Sequence, residues 1–99
     1  MTYLNLTVKK KWFDEIRSGV KKVEYREDKP YWWARLNGHG DFRHFDAGIF
    51  RNGYGWDVPA LVVNCKGITY RIAPKEEGHG APGEPCFCIE LGKILEVKP

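Results

Sequence analysis

The stretch Gly19-Val20-Lys21-Lys22-Val23-Glu24-Tyr25-Arg26 decides the fold of this chain, because a helix pattern ends in it and a strand pattern begins. The glycine suits the left-handed conformation in which many helices end. Side chains alternate along the strand that follows, so we expect two faces, with Lys22, Glu24 and Arg26 on one and Val23 and Tyr25 on the other. Lys21 lies in the turn before the strand, where alternation does not determine the direction of its side chain.

The charges of Lys21, Glu24 and Arg26 have two interpretations. In a pocket, arginine presents a planar fork of donors that suits phosphate, and glutamate can accept a hydrogen bond from an exocyclic amine or act as a general base. A lysine held beside an arginine can serve there as a nucleophile or base. The alternative is an exposed strand whose charges form cross-strand ion pairs of little energetic value. The residues alone leave both interpretations open.

Length and composition are typical of one small globular domain. The 99 residues are 42% hydrophobic and 29% charged, a balance that argues against a disordered chain. We therefore expect a single domain over residues 1–99. The net charge of +3 and the pI near 8.8 permit a nucleic acid or another anion as partner without requiring one.

Hydropathy and cysteine usage predict the compartment. No apolar run approaches the roughly 20 residues that a membrane helix needs, and the chain begins with a strand pattern rather than a signal peptide. Its three cysteines are an odd number, which together with the lack of a secretion signal predicts reduced thiols. We expect a cytoplasmic protein with no membrane partner, and the sequence identifies no protein partner.

Apolar periodicity and turn residues predict an α+β fold with two short helices and about five or six mixed strands. The helices are expected over Lys9–Ser18 and from Pro30 to Leu36, the second with Asp28 as its cap. The strand patterns cover Tyr3–Val8, Lys22–Arg26, Ala47–Phe50, Ala60–Asn64, Ile68–Ile72, Pro85–Leu91 and Ile94–Val97. Gly67 is expected to bend one strand and Gly92 to interrupt another. A sheet this small with long strands tends to close into a barrel.

Two connections carry recognisable turn residues. Asn52-Gly53 is typical of a type I′ turn, in which both central residues need a positive φ. The segment from Pro74 to Pro85, rich in proline and glycine, is expected to be a mobile loop rather than a domain boundary, because too little chain follows it to form a second core.

The spacing Gly19-x-Lys21-x-x-Glu24-x-Arg26 resembles the signature of the ASCH domain, a relative of the PUA RNA-binding domain. Flanking segments are also similar to small ASCH proteins of phages and bacteria, namely Lys11–Ile16, Lys29–Trp32, Arg35-Leu36 and Phe50–Tyr54. The resemblance covers most of the chain outside the loop at 74–84. It implies a PUA-like β-barrel in which Lys21, Glu24 and Arg26 face a cleft between the barrel and the helices.

The resemblance implies several functions and does not choose among them. Some ASCH-like proteins are described as ribonucleases, and Lys21, Glu24, Arg26 and a tyrosine would supply base, acid and phosphate clamp for attack by the 2′-hydroxyl of single-stranded RNA. Others are amidohydrolases that remove the acetyl group from N4-acetylcytidine, with a lysine at the position of Lys21 and a threonine where this chain has Glu24. A third alternative is a non-catalytic module that binds RNA or a nucleotide.

Candidate contact residues lie outside the signature as well. Tyr54 is the tyrosine we expect to act in catalysis, by stacking on a base or bonding a phosphate, although it would also suit a hairpin tip that covers the barrel. Arg51 and Asn52 are candidate substrate-binding residues beside it. Trp32 and Trp33 are neighbours on a helix, so one is expected in the core and the other as a stacking platform, and we assign substrate binding to Trp33.

Cysteine and histidine residues give weaker signals. Cys86 and Cys88 share a strand face, but zinc needs two further ligands and the available residues, Cys65, His39, His44 and His79, lack the spacing of a zinc module. We therefore predict half-buried thiols that act as small hydrophobic side chains, no metal site and no cofactor, while a divalent ion stays open. His39 and His79 each lie between two glycines in a loop and are candidates for a general acid or base.

Overall fold

A computed structural model of the protein describes residues 2–38, 41–55, 57–72 and 84–99. It contains two α-helices, Lys10–Ser18 (α1) and Pro30–Leu36 (α2). Its strands are Tyr3–Val8 (β1), Val23–Glu27 (β2), Ala47–Asn52 (β3), Ala60–Ile72 (β4) and Pro85–Lys98 (β5). The predicted α+β class, with about five or six mixed strands and two short helices, is confirmed.

The five strands form one mixed sheet in the order β1-β3-β4-β5-β2. Strand β1 runs parallel to β3, with Leu4 opposite Gly48, whereas β3 and β4 are antiparallel. Strand β2 pairs antiparallel with β5, which places Glu24 opposite Ile89 and Arg26 opposite Phe87. This arrangement is consistent with the small barrel-like fold predicted from the sequence.

The chain divides into two compact units. The first unit comprises Met1–Lys22, Phe45–Lys66 and Leu91–Pro99, and the second comprises Val23–His44 and Gly67–Glu90. Strands β4 and β5 each contribute a segment to both units. The prediction that residues 1–99 form a single domain stays a prediction.

The core of each unit follows from alternation along its strands and from one face of its helix. The first unit buries one set of aliphatic and aromatic side chains, namely Leu4, Leu6, Val8, Phe13, Ile16, Phe45, Ala47, Phe50, Ala60, Leu61, Val62, Val63, Cys65 and Leu91. The second unit buries Tyr25, Leu36, Cys86, Phe87, Cys88 and Ile89. No helix in the part of the chain that the structure describes is long and apolar enough to cross a membrane.

The C-terminal end of α1 agrees with the sequence, and the bend expected at Gly67 of β4 stays a prediction. Gly19 has a φ of 84° and its N–H donates a 3.1 Å hydrogen bond to the carbonyl oxygen of Ile16, which closes the helix as predicted. Gly67 has a φ of 152° within the single strand β4, where a side chain would be strained.

The interruption predicted at Gly92 is wrong, because β5 continues through this residue. A Cβ atom at position 92 would lie 2.6 Å from Oδ1 of Asn64 and 3.2 Å from Cγ of Lys66. The glycine therefore permits β5 to pass close to these side chains of β4 instead of ending the strand.

Two further local predictions are wrong. No described residue other than glycine has a positive φ, so Asn52-Gly53 is not a type I′ turn; Asn52 stays in β3, opposite Val8. The cap of α2 is Lys29, without a side-chain hydrogen bond, rather than Asp28. The Asp28 carboxylate instead accepts hydrogen bonds from Trp33 and Tyr70. The predicted loop 74–85 lies outside the described residues except for Glu84 and Pro85, the second of which begins β5.

Candidate functional site

Strand β2 carries a buried ion pair on one face. Nη2 of Arg26 lies 2.5 Å from Oε2 of Glu24, and the Glu24 side chain is 0% exposed against 16% for that of Arg26. The two residues are two positions apart, so the strand places both on the same side, as the alternation predicted. A carboxylate that lies out of water beside a guanidinium fixes the direction of that guanidinium.

Arg26 continues into a row of stacked side chains on α2. Its Cζ atom lies 5.0 Å from the ring centroid of Trp32, and Cζ of Arg35 lies 5.3 Å from the same ring and 5.6 Å from the ring of Tyr31. The rings of Tyr31 and Trp32 meet edge to face at 4.9 Å. We call Arg26, Trp32, Arg35 and Tyr31 the arginine–aromatic ladder.

The ladder runs from the interior of the second unit to solvent. Glu24 is fully buried at its inner end, whereas Tyr31 is 61% exposed at its outer end. Nη1 of Arg35 donates a 3.2 Å hydrogen bond to the Tyr31 hydroxyl, which holds the outer pair together. A partly exposed row of guanidinium planes and rings can stack on bases and contact phosphates at once.

Trp33 lies in a different environment from Trp32. Its ring contacts three other aromatic rings, those of Phe42, Tyr70 and Phe87, with the Phe87 centroid 4.8 Å away. Its indole N–H donates a 2.5 Å hydrogen bond to the Asp28 carboxylate. Trp32 is therefore the tryptophan that stacks with arginine, and the assignment of substrate binding to Trp33 stays a prediction.

Asp28 links α2 to strand β4 through hydrogen bonds. It accepts one from the Tyr70 hydroxyl and one from Trp33, and in that order these bonds hold the pKa of its carboxyl below the usual value. The same bond to Asp28 raises the pKa of the Tyr70 phenol. Because both shifts favour the ionised carboxylate beside a neutral phenol, this contact is complete at neutral pH.

The other face of β2 packs against two thiols. Cys86 and Cys88 are free, buried and packed with Tyr25, and their sulfur atoms lie 4.0 Å apart. Burial, and then the neighbouring Cys88, raise the pKa of the Cys86 thiol from 9.0 to about 11. A thiol that stays protonated at neutral pH is a poor nucleophile, so these cysteines act as small apolar side chains.

Lys21 belongs to the first unit and is 4% exposed. Its backbone N–H donates a 3.0 Å hydrogen bond to the carbonyl oxygen of Glu15, which ties the residue to the end of α1. Its ammonium nitrogen lies 4.7 Å from the ring centroid of Trp12, a ring that also receives the ammonium of Lys11 at 4.6 Å. The end of the helix, rather than strand alternation, thus determines where this side chain goes.

A cavity of about 540 Å³ lies in the first unit beside Lys21. Its walls come from the end of α1, from β4 and from β5. They are formed by Ile16, Gly19, Lys21, Lys22, Val63, Lys66, Leu91, Gly92, Lys93 and Ile94. We call this space the lysine-lined cavity, since four of these residues are lysines.

The remaining predicted contact residues lie around the end of β3 in the first unit. Nη1 of Arg51 donates a 2.7 Å hydrogen bond to the side-chain oxygen of Asn5, and the backbone N–H of Asn52 donates to the carbonyl oxygen of Pro59. Tyr54 is 93% exposed. Their predicted roles in substrate binding and catalysis stay predictions.

Metal-binding residues do not cluster in the described ranges. No group of three or more histidine, cysteine, aspartate or glutamate side chains there could hold a metal ion. His39 and His79, the two histidines predicted as loop acids or bases, lie outside the described residues.

Sequence reasoning missed the contributions of Arg35, Lys66 and Lys93. Arg35 has a local signal, since it follows Tyr31 by four and Trp32 by three positions on a helix, and residues so spaced are neighbours. Lys66 and Lys93 have no such signal, because they meet at one cavity through strand pairing rather than through spacing in the sequence.

Three comparisons of the chain, with models of known protein families, with curated proteins and with solved structures, find no match.

Proposed function

We propose that this protein binds single-stranded RNA, as the resemblance to ASCH domains implies, and that the arginine–aromatic ladder of its second unit is the binding surface. Trp32 and Tyr31 offer rings on which bases stack, and Arg26 and Arg35 offer guanidinium groups for phosphate. Recognition of unpaired bases by aromatic and arginine side chains is the common mode for single-stranded RNA.

The observation that carries the proposal is the buried pair of Glu24 and Arg26 at the inner end of the ladder. A buried ion pair is weak evidence for stability, because desolvation offsets most of the attraction between the charges. Its specific effect is to hold the Arg26 guanidinium in one orientation against Trp32, and a preorganised donor binds phosphate with less loss of side-chain entropy.

We further propose ribonuclease-type cleavage, with roles that follow from the resemblance. Arg26 stabilises the charge that develops on the phosphate, and Lys21, which belongs to the first unit, stays a catalytic candidate through the resemblance alone. Tyr54, also of the first unit, stays a catalytic candidate that would stack on a base or bond a phosphate. Glu24, which is fully buried, acts by orienting Arg26 in addition to any proton transfer.

Binding is tested with a short fluorescent single-stranded RNA, by anisotropy at several salt concentrations. We expect Arg35→Gln to weaken binding about tenfold and to reduce its salt dependence, because one phosphate contact and one stacking partner are lost. Lys29→Gln is the matched control, since Lys29 lies beside the ladder but pairs with Glu27 at 3.1 Å. Equal losses of RNA affinity in the two variants would show that the ladder contributes only non-specific positive charge, which would contradict the proposal.

Cleavage is tested on the same RNA with wild type and Lys21→Ala, each with and without a chelator. We expect product from wild type only. Equal cleavage by both proteins would point to a contaminating nuclease and contradict the catalytic role of Lys21. RNA binding without any cleavage would identify a non-catalytic RNA-binding module.

A second candidate function, amide hydrolysis of an acylated nucleoside, is favoured by the burial of Lys21 on Trp12 beside a cavity of about 540 Å³. This volume is in the range of pockets for single small molecules. Turnover of N4-acetylcytidine that is lost in Lys21→Ala and insensitive to salt would support it. Glu24 stands where such amidohydrolases carry threonine, which argues for the RNA hypothesis.

With either substrate, we propose a cytoplasmic location.

A further inference from the structure

The described walls of the lysine-lined cavity carry positive charge. Lys21, Lys22, Lys66 and Lys93 line it, and no aspartate or glutamate is among the described residues that form its walls. Lysine carries a positive charge at neutral pH, so the potential in this space favours an anion.

Three of these lysines have no ionic partner among the residues that the structure describes. Lys22, Lys66 and Lys93 are exposed, and no ion pair joins any of them to an acidic residue of the described ranges. Other cations do have such partners: Lys10 pairs with Asp14, Lys29 with Glu27, Arg26 with Glu24 and Arg71 with Glu90. The charge of Lys22, Lys66 and Lys93 is therefore available to a ligand.

The convergence of these lysines depends on the strand arrangement of the first unit. Lys22 precedes β2, Lys66 lies in β4 and Lys93 in β5, so three segments far apart in the sequence contribute to one rim. Gly92 lets β5 approach β4 closely at this point, since a Cβ there would lie 3.2 Å from Cγ of Lys66. Like charges that line one cavity repel one another, and a bound anion offsets this repulsion.

Apolar side chains form the other half of the wall. Ile16, Val63, Leu91 and Ile94 line the cavity, and the first three are in or next to the core of the unit. An inorganic anion would leave this surface in contact with water, whereas an apolar or aromatic group would cover it. The cavity therefore suits a ligand with two parts.

We propose that the lysine-lined cavity binds a small phosphate monoester with an apolar or aromatic body. The phosphate carries up to two charges and three acceptor oxygens, and lysine ammonium groups bind phosphate as point charges without requiring one fixed geometry. A single carboxylate would neutralise less of the charge. The body lies against the aliphatic wall. This site lies within the first unit and does not rest on RNA binding by the ladder.

The test is calorimetric titration of the purified protein with phenyl phosphate, inorganic phosphate and phenol at low salt. We expect phenyl phosphate to bind at least about tenfold more tightly than either fragment, because only it supplies both charge and apolar contact. Phenol or inorganic phosphate binding as well as phenyl phosphate, or no binding of phenyl phosphate at millimolar concentration, would overturn the proposal. Adenosine 5′-monophosphate is a further arm. If adenosine 5′-monophosphate binds, the ligand is a nucleotide. If it does not bind, the apolar part of the ligand is smaller than a nucleoside. Both outcomes presuppose that phenyl phosphate binds.

The site is located with a double variant, Lys66→Gln with Lys93→Gln. We expect it to bind phenyl phosphate about tenfold more weakly than wild type, and the backbone amides of Gly19 and Gly92 to shift in NMR spectra of wild type on titration. The control, Lys9→Gln with Lys98→Gln, removes the same charge from exposed positions outside the cavity. Equal weakening in both double variants would overturn the site. RNA affinity is also measured in the first double variant. This measurement distinguishes the cavity from the ladder, because the ladder is tested by Arg35→Gln.

Discussion

Arg26 in the second unit and the lysines of the cavity in the first unit differ in how their positive charge is compensated. In the second unit, Arg26 is paired with a fully buried Glu24 and stacked on Trp32. In the first unit, Lys22, Lys66 and Lys93 line a cavity whose described walls contain no acidic residue. The buried pair fixes the orientation of the Arg26 guanidinium. The three lysines, in contrast, have no acidic residue beside them in the described walls of the cavity.

This difference shows what each kind of basic residue is suited to. Arginine has a rigid planar fork, so pairing and stacking can hold it in a single orientation for a base or a phosphate. Lysine is a flexible point charge, and several of them around an apolar wall create a potential without a fixed hydrogen-bond geometry. We therefore expect the stability of the second unit to depend on its charged pair, and that of the first to improve slightly when its lysines are removed.

The largest effect is expected from Glu24→Ala. Removing the carboxylate leaves the guanidinium of Arg26, whose side chain is 16% exposed, without its buried partner, and breaking such a pair costs about 3–5 kcal/mol in the free energy of unfolding. Urea unfolding followed by circular dichroism measures the change. Glu27→Ala, which breaks the exposed pair with Lys29, should cost less than about 1 kcal/mol. Similar losses in both variants would show that burial of the pair has no special importance.

A smaller effect is expected at alkaline pH from Cys86. The fold keeps its thiol neutral, with a pKa of about 11 against an ordinary value of 9.0, so its contribution to stability is complete below pH 9.0 and is lost as the pH rises towards 11. At pH 10.5 the loss is about 2 kcal/mol. The measurement is urea unfolding of wild type and Cys86→Ala at pH 8 and pH 10.5. The variant should lose less stability between these two pH values, and an equal loss would contradict the burial of this thiol.

The smallest effect is expected from the double variant Lys66→Gln with Lys93→Gln. It should raise the free energy of unfolding by about 0.5 kcal/mol at low salt, because it relieves repulsion among the lysines of the cavity. In 1 M salt, where the screening length is about 3 Å, the gain should disappear. Thermal unfolding at both salt concentrations measures it. A loss of stability at low salt would mean that these lysines have stabilising partners and would break the contrast between the units.

Most of the secondary structure and part of the candidate site could be predicted from the sequence. The alternation after Gly19 predicted that Glu24 and Arg26 share a face, and the structure pairs them at 2.5 Å. Local patterns failed where a residue's role depends on a distant partner. Gly92 was expected to break a strand, yet it allows β5 to pass Asn64, and Asp28 was expected to cap α2, yet it accepts a hydrogen bond from Tyr70 of β4.

The sequence by itself determined the strands and helices, the left-handed end of α1 at Gly19 and the two faces of β2, because each depends on residues within a few positions. The tertiary structure alone decided that Lys21 lies over Trp12, that Trp32 rather than Trp33 stacks on Arg26, and that Lys22, Lys66 and Lys93 meet at one cavity. The physical reason is the distance along the sequence over which each kind of interaction acts. Backbone preferences act between neighbours, whereas these contacts arise only when helix packing and strand register bring distant residues together.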